Sequence, residues 1–180
     1  NDNLTGTYAA VCALRMLDMA GIDFENTEVC AMITDGEEAG LRGCKQWAKD
    51  HYDEYVNSGV ETAVLCVDTL ADLEYLRVYN KDMTGTVKNN QQFSQLVMDS
   101  AKDSGHNDLE FSSVYFGSSD AAAFSQAGIT ATCLAAMDPK PADYYHNRRD
   151  TAERLVPEAI KTGFDVIIST ILNFDEKGLN

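Results

Sequence analysis

The chain has 180 residues, 44% of them hydrophobic and 24% charged. That is about one domain with enough apolar content for a core, which excludes a disordered chain. Fourteen basic against 29 acidic residues leave a formal charge of −15, which repels phosphate backbones and anionic lipid and excludes nucleic acid and membrane surface as partners. The longest apolar run, Val166 to Leu172, holds Ser169 and Thr170 and is too short to span a bilayer.

Helical and strand-like segments alternate along the chain. Leu4, Tyr8, Val11, Leu14 and Leu17 recur every three or four residues and predict an amphipathic helix closed by Gly21. Thr27 to Ile33 reads as a short strand that runs into Thr34-Asp35-Gly36. Leu41, Cys44, Trp47, Ala48, His51 and Tyr55 mark a second helix, with Trp47 on its apolar face. Strands follow at Thr62 to Val67 and Tyr75 to Tyr79, then a helix at Asn89 to Ala101 and a strand at Leu109 to Phe116. A short helix, Asp120 to Ala127, precedes a strand from Ile129 to Ala136. The last helix carries Ala152, Leu155, Ala159, Ile160, Gly163, Val166, Ile167, Ile171 and Phe174 on one face, behind a capping box at Asp150-Thr151-Ala152-Glu153.

This alternation predicts an α/β three-layer sandwich, a mostly parallel central sheet flanked by helices, with residues 1–180 forming one domain. Functional groups in such sheets gather beyond the strands' C-terminal ends. Glu37 and Glu38 follow the first strand there, Asp68 the second, Ser119-Asp120 the segment from 109 to 116, and Tyr145-His146 the last. Carboxylates and a histidine delivered by separate strands suit Zn²⁺, and an adjacent carboxylate that is not a ligand can serve as general base. The five cysteines (Cys12, Cys30, Cys44, Cys66, Cys133) form no C-x-x-C pair and read as free thiols.

Several segments resemble one family. Asp2-Asn3-Leu4-Thr5-Gly6 and Glu37-Glu38-Ala39-Gly40-Leu41-Arg42-Gly43 resemble the D-x-x-[ST]-G and EE-x-G-L-x-G signatures of the co-catalytic zinc exopeptidases. These include bacterial leucyl aminopeptidases and glutamate carboxypeptidase II. Val67-Asp68-Thr69, Ser119-Asp120 with Phe124 and Gly128-Ile129, and Tyr145-His146 with Asp150-Thr151 resemble three further elements, in the family's order. The resemblance implies that Asp2 bridges two zinc ions, that Glu38 and His146 complete one, and that Asp68 belongs to the other. It implies Glu37 as the general base and Tyr145 as a donor to the developing oxyanion. Asp120 would orient His146 from outside the ligand shell, with Asp150 beside it in the same outer layer.

The family's H-x-D motif upstream of the bridging aspartate has no counterpart before Asp2. The expectation is therefore a C-terminal part of a longer catalytic domain, incomplete at its N-terminus. Such a part would hold two zinc ions in its complete parent and one or none by itself. His51-Tyr52-Asp53 reads H-x-D but falls inside a helical pattern, and His106 falls in a solvated turn. The implied function is a zinc-dependent exopeptidase, an aminopeptidase first, acting on peptide ends. Its alternatives are a glutaminyl-cyclase-like acyltransferase with one zinc and a non-catalytic binding module. Lys140, Arg148 and Arg149 are candidates to meet a substrate carboxylate, an exposed sheet edge suits a homo-oligomer, and Asn3-Leu4-Thr5 is a chance sequon. For compartment, the family points to secretion and the unpaired cysteines to a reducing interior.

Overall fold

The computed structural model describes residues 1–179. Six α-helices, α1 (Leu4–Met19), α2 (Arg42–Asp50), α3 (Tyr52–Tyr55), α4 (Gln91–Asp103), α5 (Asp120–Gln126) and α6 (Pro157–Lys177), surround a five-stranded sheet. Its strands are β1 (Ala63–Val67), β2 (Leu76–Asp82), β3 (Val87–Lys88), β4 (Phe111–Ser113) and β5 (Thr130–Ala136). The spatial order is β1-β5-β2-β3, with β4 also on β2. β1 and β5 are parallel in the register Ala63 to Thr130 through Val67 to Leu134, and β2 and β4 are parallel to each other. β2 runs antiparallel to β5, Leu76 facing Ala136. The helix-free stretch between β1 and β2 is too short for the crossover that a parallel return needs.

The helices cover both faces of this α/β sandwich. On one face Leu70, Leu76, Val78, Phe93, Val97, Leu134, Val166 and Ile167 form a core between the sheet and α1, α4 and α6. On the other, α2 and α5 pack Cys44, Ala48, Ala121, Ala122, Ala123 and Phe124 against Tyr79, Ala131 and Cys133. Trp47 lies at the margin of that second core, edge-on to Phe124 at 5.8 Å between centroids and stacked on His51 at 4.6 Å. All five cysteines are free, Cys44 and Cys133 buried, Cys12 and Cys30 exposed. Among the described residues no helix is long and apolar enough to cross a membrane.

Three local expectations give way to the structure. The segment from Thr27 to Ile33 forms no strand, and among the described residues it pairs with none. The last helix begins at Pro157 rather than at the capping box, where only a 3₁₀ turn, Ala152–Arg154, forms. Proline has no N–H to give and its ring would clash with the preceding turn, so it is accommodated at the first helical position instead. Lastly, α1 buries Thr5, Gly6, Ala9, Ala13 and Leu17, while Leu4, Tyr8 and Val11 face outward. The reason is distance: a Cβ on Gly6 would lie 2.4 Å from the Val67 carbonyl oxygen. A helix this close to β1 seats small residues inward, whatever their neighbours' hydrophobicity.

Candidate active site

The parallel pair β1–β5 brings two chain ends to one edge of the sheet. β1 stops at Val67, and the ladder is extended by the Asp68 N–H donating to the Leu134 carbonyl at 3.0 Å. β5 stops at Ala136 and opens into the long loop that carries Tyr145, His146 and Asp150. Asn3 fastens the start of α1 to the same edge. Its side-chain amide donates to the Val67 carbonyl at 2.8 Å, and its carbonyl oxygen accepts from the Gly6 N–H at 3.0 Å as the helix cap. The Asn3 side chain is thus committed inside the fold, as a chance sequon requires. The neighbouring Asp2 N–H donates to Asp150 Oδ2 at 2.9 Å.

Glu37 and Glu38 arrive from the opposite side on the loop before α2. That loop is closed on itself: the Gly40 and Leu41 N–H groups donate to the Glu37 carbonyl at 2.9 and 2.7 Å, and the Gly43 N–H to the Asp35 carbonyl at 2.9 Å. A Cβ at Gly43 would sit 2.4 Å from the Asp35 oxygen, which explains a glycine there.

The four segments meet. His146 Nε2 lies 2.8 Å from Glu38 Oε1 and 3.2 Å from Asp2 Oδ2. One ligand atom from each of Asp2, Glu38 and His146 falls within 4.8 Å of the other two. The Tyr145 ring stacks on the His146 imidazole at 3.7 Å between centroids. Beside this trio opens a cleft of about 500 Å³ lined by Glu37, Asp68, Leu41, Met83, Phe116 and Tyr145, among others. Every charged side chain lining it except Lys45 is a carboxylate, and the Lys45 ammonium is engaged by the Gly40 carbonyl at 3.0 Å.

Crowded carboxylates resist ionisation. Burial first, and then Asp68, Asp120, Glu38 and Asp2, push the Glu37 carboxyl up to about 8. Burial and then Asp2 push Asp68 to about 7, against the pull of the Thr69 N–H. Burial and the same acids raise the Tyr145 phenol, which keeps its proton at neutral pH. The residues fit a zinc ion: imidazole nitrogen and carboxylate oxygens already converge, and the carboxylates that line the adjoining cleft outnumber its one lysine.

Of the residues singled out from sequence, Asp2, Glu38 and His146 come together, Glu37, Asp68 and Tyr145 line the adjoining cleft, and Asp150 holds Asp2. Asp120 is placed differently from its implied role. Its Oδ2 accepts from the Thr34 hydroxyl at 2.8 Å, and it makes no hydrogen bond to His146. It sits at the start of α5, on the Glu37 side of the cleft, where the Asp120 charge raises Glu37. Lys140, Arg148 and Arg149 do not line the cleft, and Arg149 faces Asp143 at 3.8 Å. His51 lies in the Trp47 stack, with Nδ1 2.9 Å from the Trp47 carbonyl, well apart from the trio. His106 is half-buried rather than solvated, with Nε2 2.9 Å from Asp165 Oδ2 on α6. Met83, Phe116 and Tyr75 also line the cleft without having been expected to; Tyr75 and Phe116 read as strand ends in the sequence but fall just outside β2 and β4, and Met83 follows β2 in a turn.

The description peptidase family M28 matches residues 1–171 of the chain. A comparison with curated proteins gives no match. Among solved structures the chain is similar to the LapA aminopeptidase of Legionella pneumophila, with a TM-score of 0.73 and 15% identity over 98% of this chain and 46% of that one. It is similar to BSAP, a zinc aminopeptidase from Bacillus subtilis, with a TM-score of 0.71 and 19% identity over 95% of this chain and 41% of that one. An Acidobacteriales bacterium glutaminyl cyclase gives a TM-score of 0.60 and 18% identity over 77% of this chain and 47% of that one. At these identities the likeness is one of fold, and the chain spans less than half the length of each.

Proposed function

The chain belongs to peptidase family M28, and on that premise we propose that its cleft is the active site of a zinc-dependent aminopeptidase. The observation that carries the reading is the meeting of Asp2, Glu38 and His146, from three distant segments, within 4.8 Å beside a raised, half-buried Glu37. Asp2, Glu38 and His146 would hold a first zinc ion, and Asp68 with Asp2 would contribute to a second. Zinc supplies Lewis-acid polarisation of the scissile carbonyl and a lower pKa for attacking water.

The chain's own groups do the rest. Glu37 is not engaged by His146, and its carboxylate is free to take a proton from the attacking water and return it to the nitrogen of the leaving amine. Without metal, burial and the neighbouring carboxylates push Glu37 up to about 8; with zinc bound those charges would be offset, leaving the carboxylate ionised to act as base. The Tyr145 phenol keeps its proton and donates toward the carbonyl oxygen as charge develops there. Stacking on His146 fixes the direction of that donor. Asp150 holds the backbone of Asp2 and so the position of its carboxylate. The carboxylate-lined cleft favours a positively charged peptide amino end over a C-terminal carboxylate, which supports the amino- over the carboxypeptidase reading.

A second reading, the glutaminyl-cyclase-like acyltransferase, draws on the fact that among the described residues three form a compact candidate ligand set, enough for one metal. One assay separates the two. After zinc dialysis, peptides with a free amino end are tested beside acetylated ones and beside peptides starting with glutamine. Release of the first amino acid from free ends alone is the expected result. Ammonia release with ring closure of the glutamine peptide would select the acyltransferase, and zinc-free, inert protein would remove both readings. β1 is an edge strand with one unpaired side, which supports association with a second copy.

A further inference from the structure

Asp82 is the last residue of β2 and is wholly buried, yet no cation faces it. Its carboxylate instead accepts four hydrogen bonds from neutral donors. Oδ1 takes the Met83 N–H at 2.7 Å, the Ser119 N–H at 3.0 Å and the Ser118 hydroxyl at 3.1 Å; Oδ2 takes the Ser119 hydroxyl at 2.5 Å. A wholly buried polar group costs stability unless its hydrogen bonds are filled, and here every donor is in place. What it joins is informative: the end of β2 and the entry to α5, segments 36–37 residues apart.

The connection continues. Ser119 caps α5 through the Ala121 N–H, and the next residue, Asp120, accepts from Thr34 Oγ1 at 2.8 Å across 86 residues. Thr34 is three residues before Glu37 and four before Glu38. Upstream of it, the unpaired stretch from 27 to 33 gives the loop no backbone hydrogen bond to the sheet among the described residues. Downstream, the hydrogen bonds of residues 35–43 tie the loop only to itself and to α2. Met32 and Leu41 pack the two flanks of the loop against the α2–α5 core; among the described residues, and apart from the contact of Glu38 with His146, the Thr34–Asp120 bond is the hydrogen bond that ties the stretch between them to the rest of the fold.

We propose that Asp82 is a positioning residue for the Glu37–Glu38 loop, acting through Ser119, Asp120 and Thr34. The proposal rests on the reading of Glu38 as a zinc ligand for its effect on metal binding, and on the hydrogen bonds alone for its effect on the loop. A carboxylate is needed at 82 because an amide accepts on one oxygen only and would turn a donor toward Ser119. The relay holds the general base and a metal ligand at one height over the sheet edge, where an error of about 1 Å costs about 100-fold in rate.

The test uses Asp82→Asn, Thr34→Val, which keeps the branched shape without the hydroxyl, and Thr34→Ser, which restores the donor. Amide hydrogen exchange at Gly40 to Gly43 is read against the β1–β5 ladder, and zinc affinity is read by calorimetry. The expected result is faster exchange confined to Gly40–Gly43 and zinc affinity lower by about 10–100-fold in Asp82→Asn and Thr34→Val. Thr34→Ser should match the parent. If Asp82→Asn unfolds, Thr34→Val decides alone. Thr34→Val with parental exchange at Gly40–Gly43 overturns the relay. Should the parent bind no zinc and Glu38→Gln change nothing, the metal reading fails, while the exchange data still decide the relay.

Discussion

The acids of the cleft fall into two sets that differ in what they face. Asp2 and Glu38, at the outer end, share one imidazole nitrogen of His146 at 3.2 and 2.8 Å. Glu37 and Asp68, at the inner end, face other carboxylates, and burial with that repulsion pushes them to about 8 and about 7. The outer set brings its polar atoms, with His146, to a common point, as the proposed metal site requires. The inner set is crowded and buried so that it holds protons, the environment that suits the general base and the second-metal carboxylate proposed for Glu37 and Asp68. Adjacent residues in the chain, Glu37 and Glu38, thus end in different chemistry, because the loop turns one side chain to His146 and leaves the other facing Asp68 and Asp120.

The largest effect that would sharpen this contrast lies on the inner side. Glu37→Gln keeps shape and burial but cannot accept and return a proton. Hydrolysis should fall by about 10²–10⁴-fold while bound zinc stays at the parental level. A variant that keeps its rate would take Glu37 out of the mechanism. On the outer side the effects should be reversed in kind. The pair Glu38→Ala with His146→Ala removes two of the three proposed ligands, and metal analysis after zinc dialysis should show a loss beyond the about 10–100-fold that removing a hydrogen-bond partner of a ligand costs. Undiminished zinc in that double variant would mean that the trio is an ion-pair cluster and nothing more.

A third test asks whether the outer set depends on the packing beneath it. Gly6→Ala places a methyl group 2.4 Å from the Val67 carbonyl oxygen and 2.5 Å from Asn3 Oδ1. Backbone cannot yield cheaply, so α1 must lift from β1 and draw Asn3 and Asp2 with it. Denaturant unfolding should show a loss of about 1–3 kcal/mol, together with weaker zinc binding. Destabilisation with unchanged zinc affinity would separate the ligand from the helix start that carries it.

These residues also mark where sequence reasoning ends. The helices at 91–103, 120–126 and 157–177 and the strands at 63–67 and 130–136 follow from periodicity, since burial there is set by local spacing. The face of α1 does not, because its inward side is dictated by the approach of Val67, 61 residues away in the chain. Asp2, Glu38 and His146 are legible together through the motifs that resemble the zinc exopeptidases; strand ends alone point to Glu38 and His146 and not to Asp2, and the strand expected before Glu38 does not form. Asp82 and Thr34 are not. An aspartate closing a strand and a threonine before a glutamate pair are ordinary in sequence, and their meaning is carried by hydrogen bonds spanning 37 and 86 residues. Asp120 shows the same limit, since its partner is Thr34 and not the histidine that the motif suggests.

The smallest expected effect separates the two sets by pH. In zinc-free protein Glu37 and Asp68 keep protons to about 8 and about 7, whereas in the unfolded chain both are ionised above the ordinary carboxylate range. Between pH 5 and 8 the folded state therefore binds more protons than the unfolded one, and the stability these groups contribute is lost as pH rises through their folded values. The unfolding temperature of zinc-free protein should fall across that window relative to Glu37→Gln, which has no proton to lose there. Comparison with the variant isolates the contribution of Glu37 from that of every other group in the chain. Saturating zinc should reverse the slope, since ligands must shed their protons to bind metal and the folded state then gains affinity as pH rises. Parallel curves for parent and Glu37→Gln without zinc would mean that the inner carboxylates are solvated enough to ionise normally, and the contrast between the two sets would reduce to His146 alone.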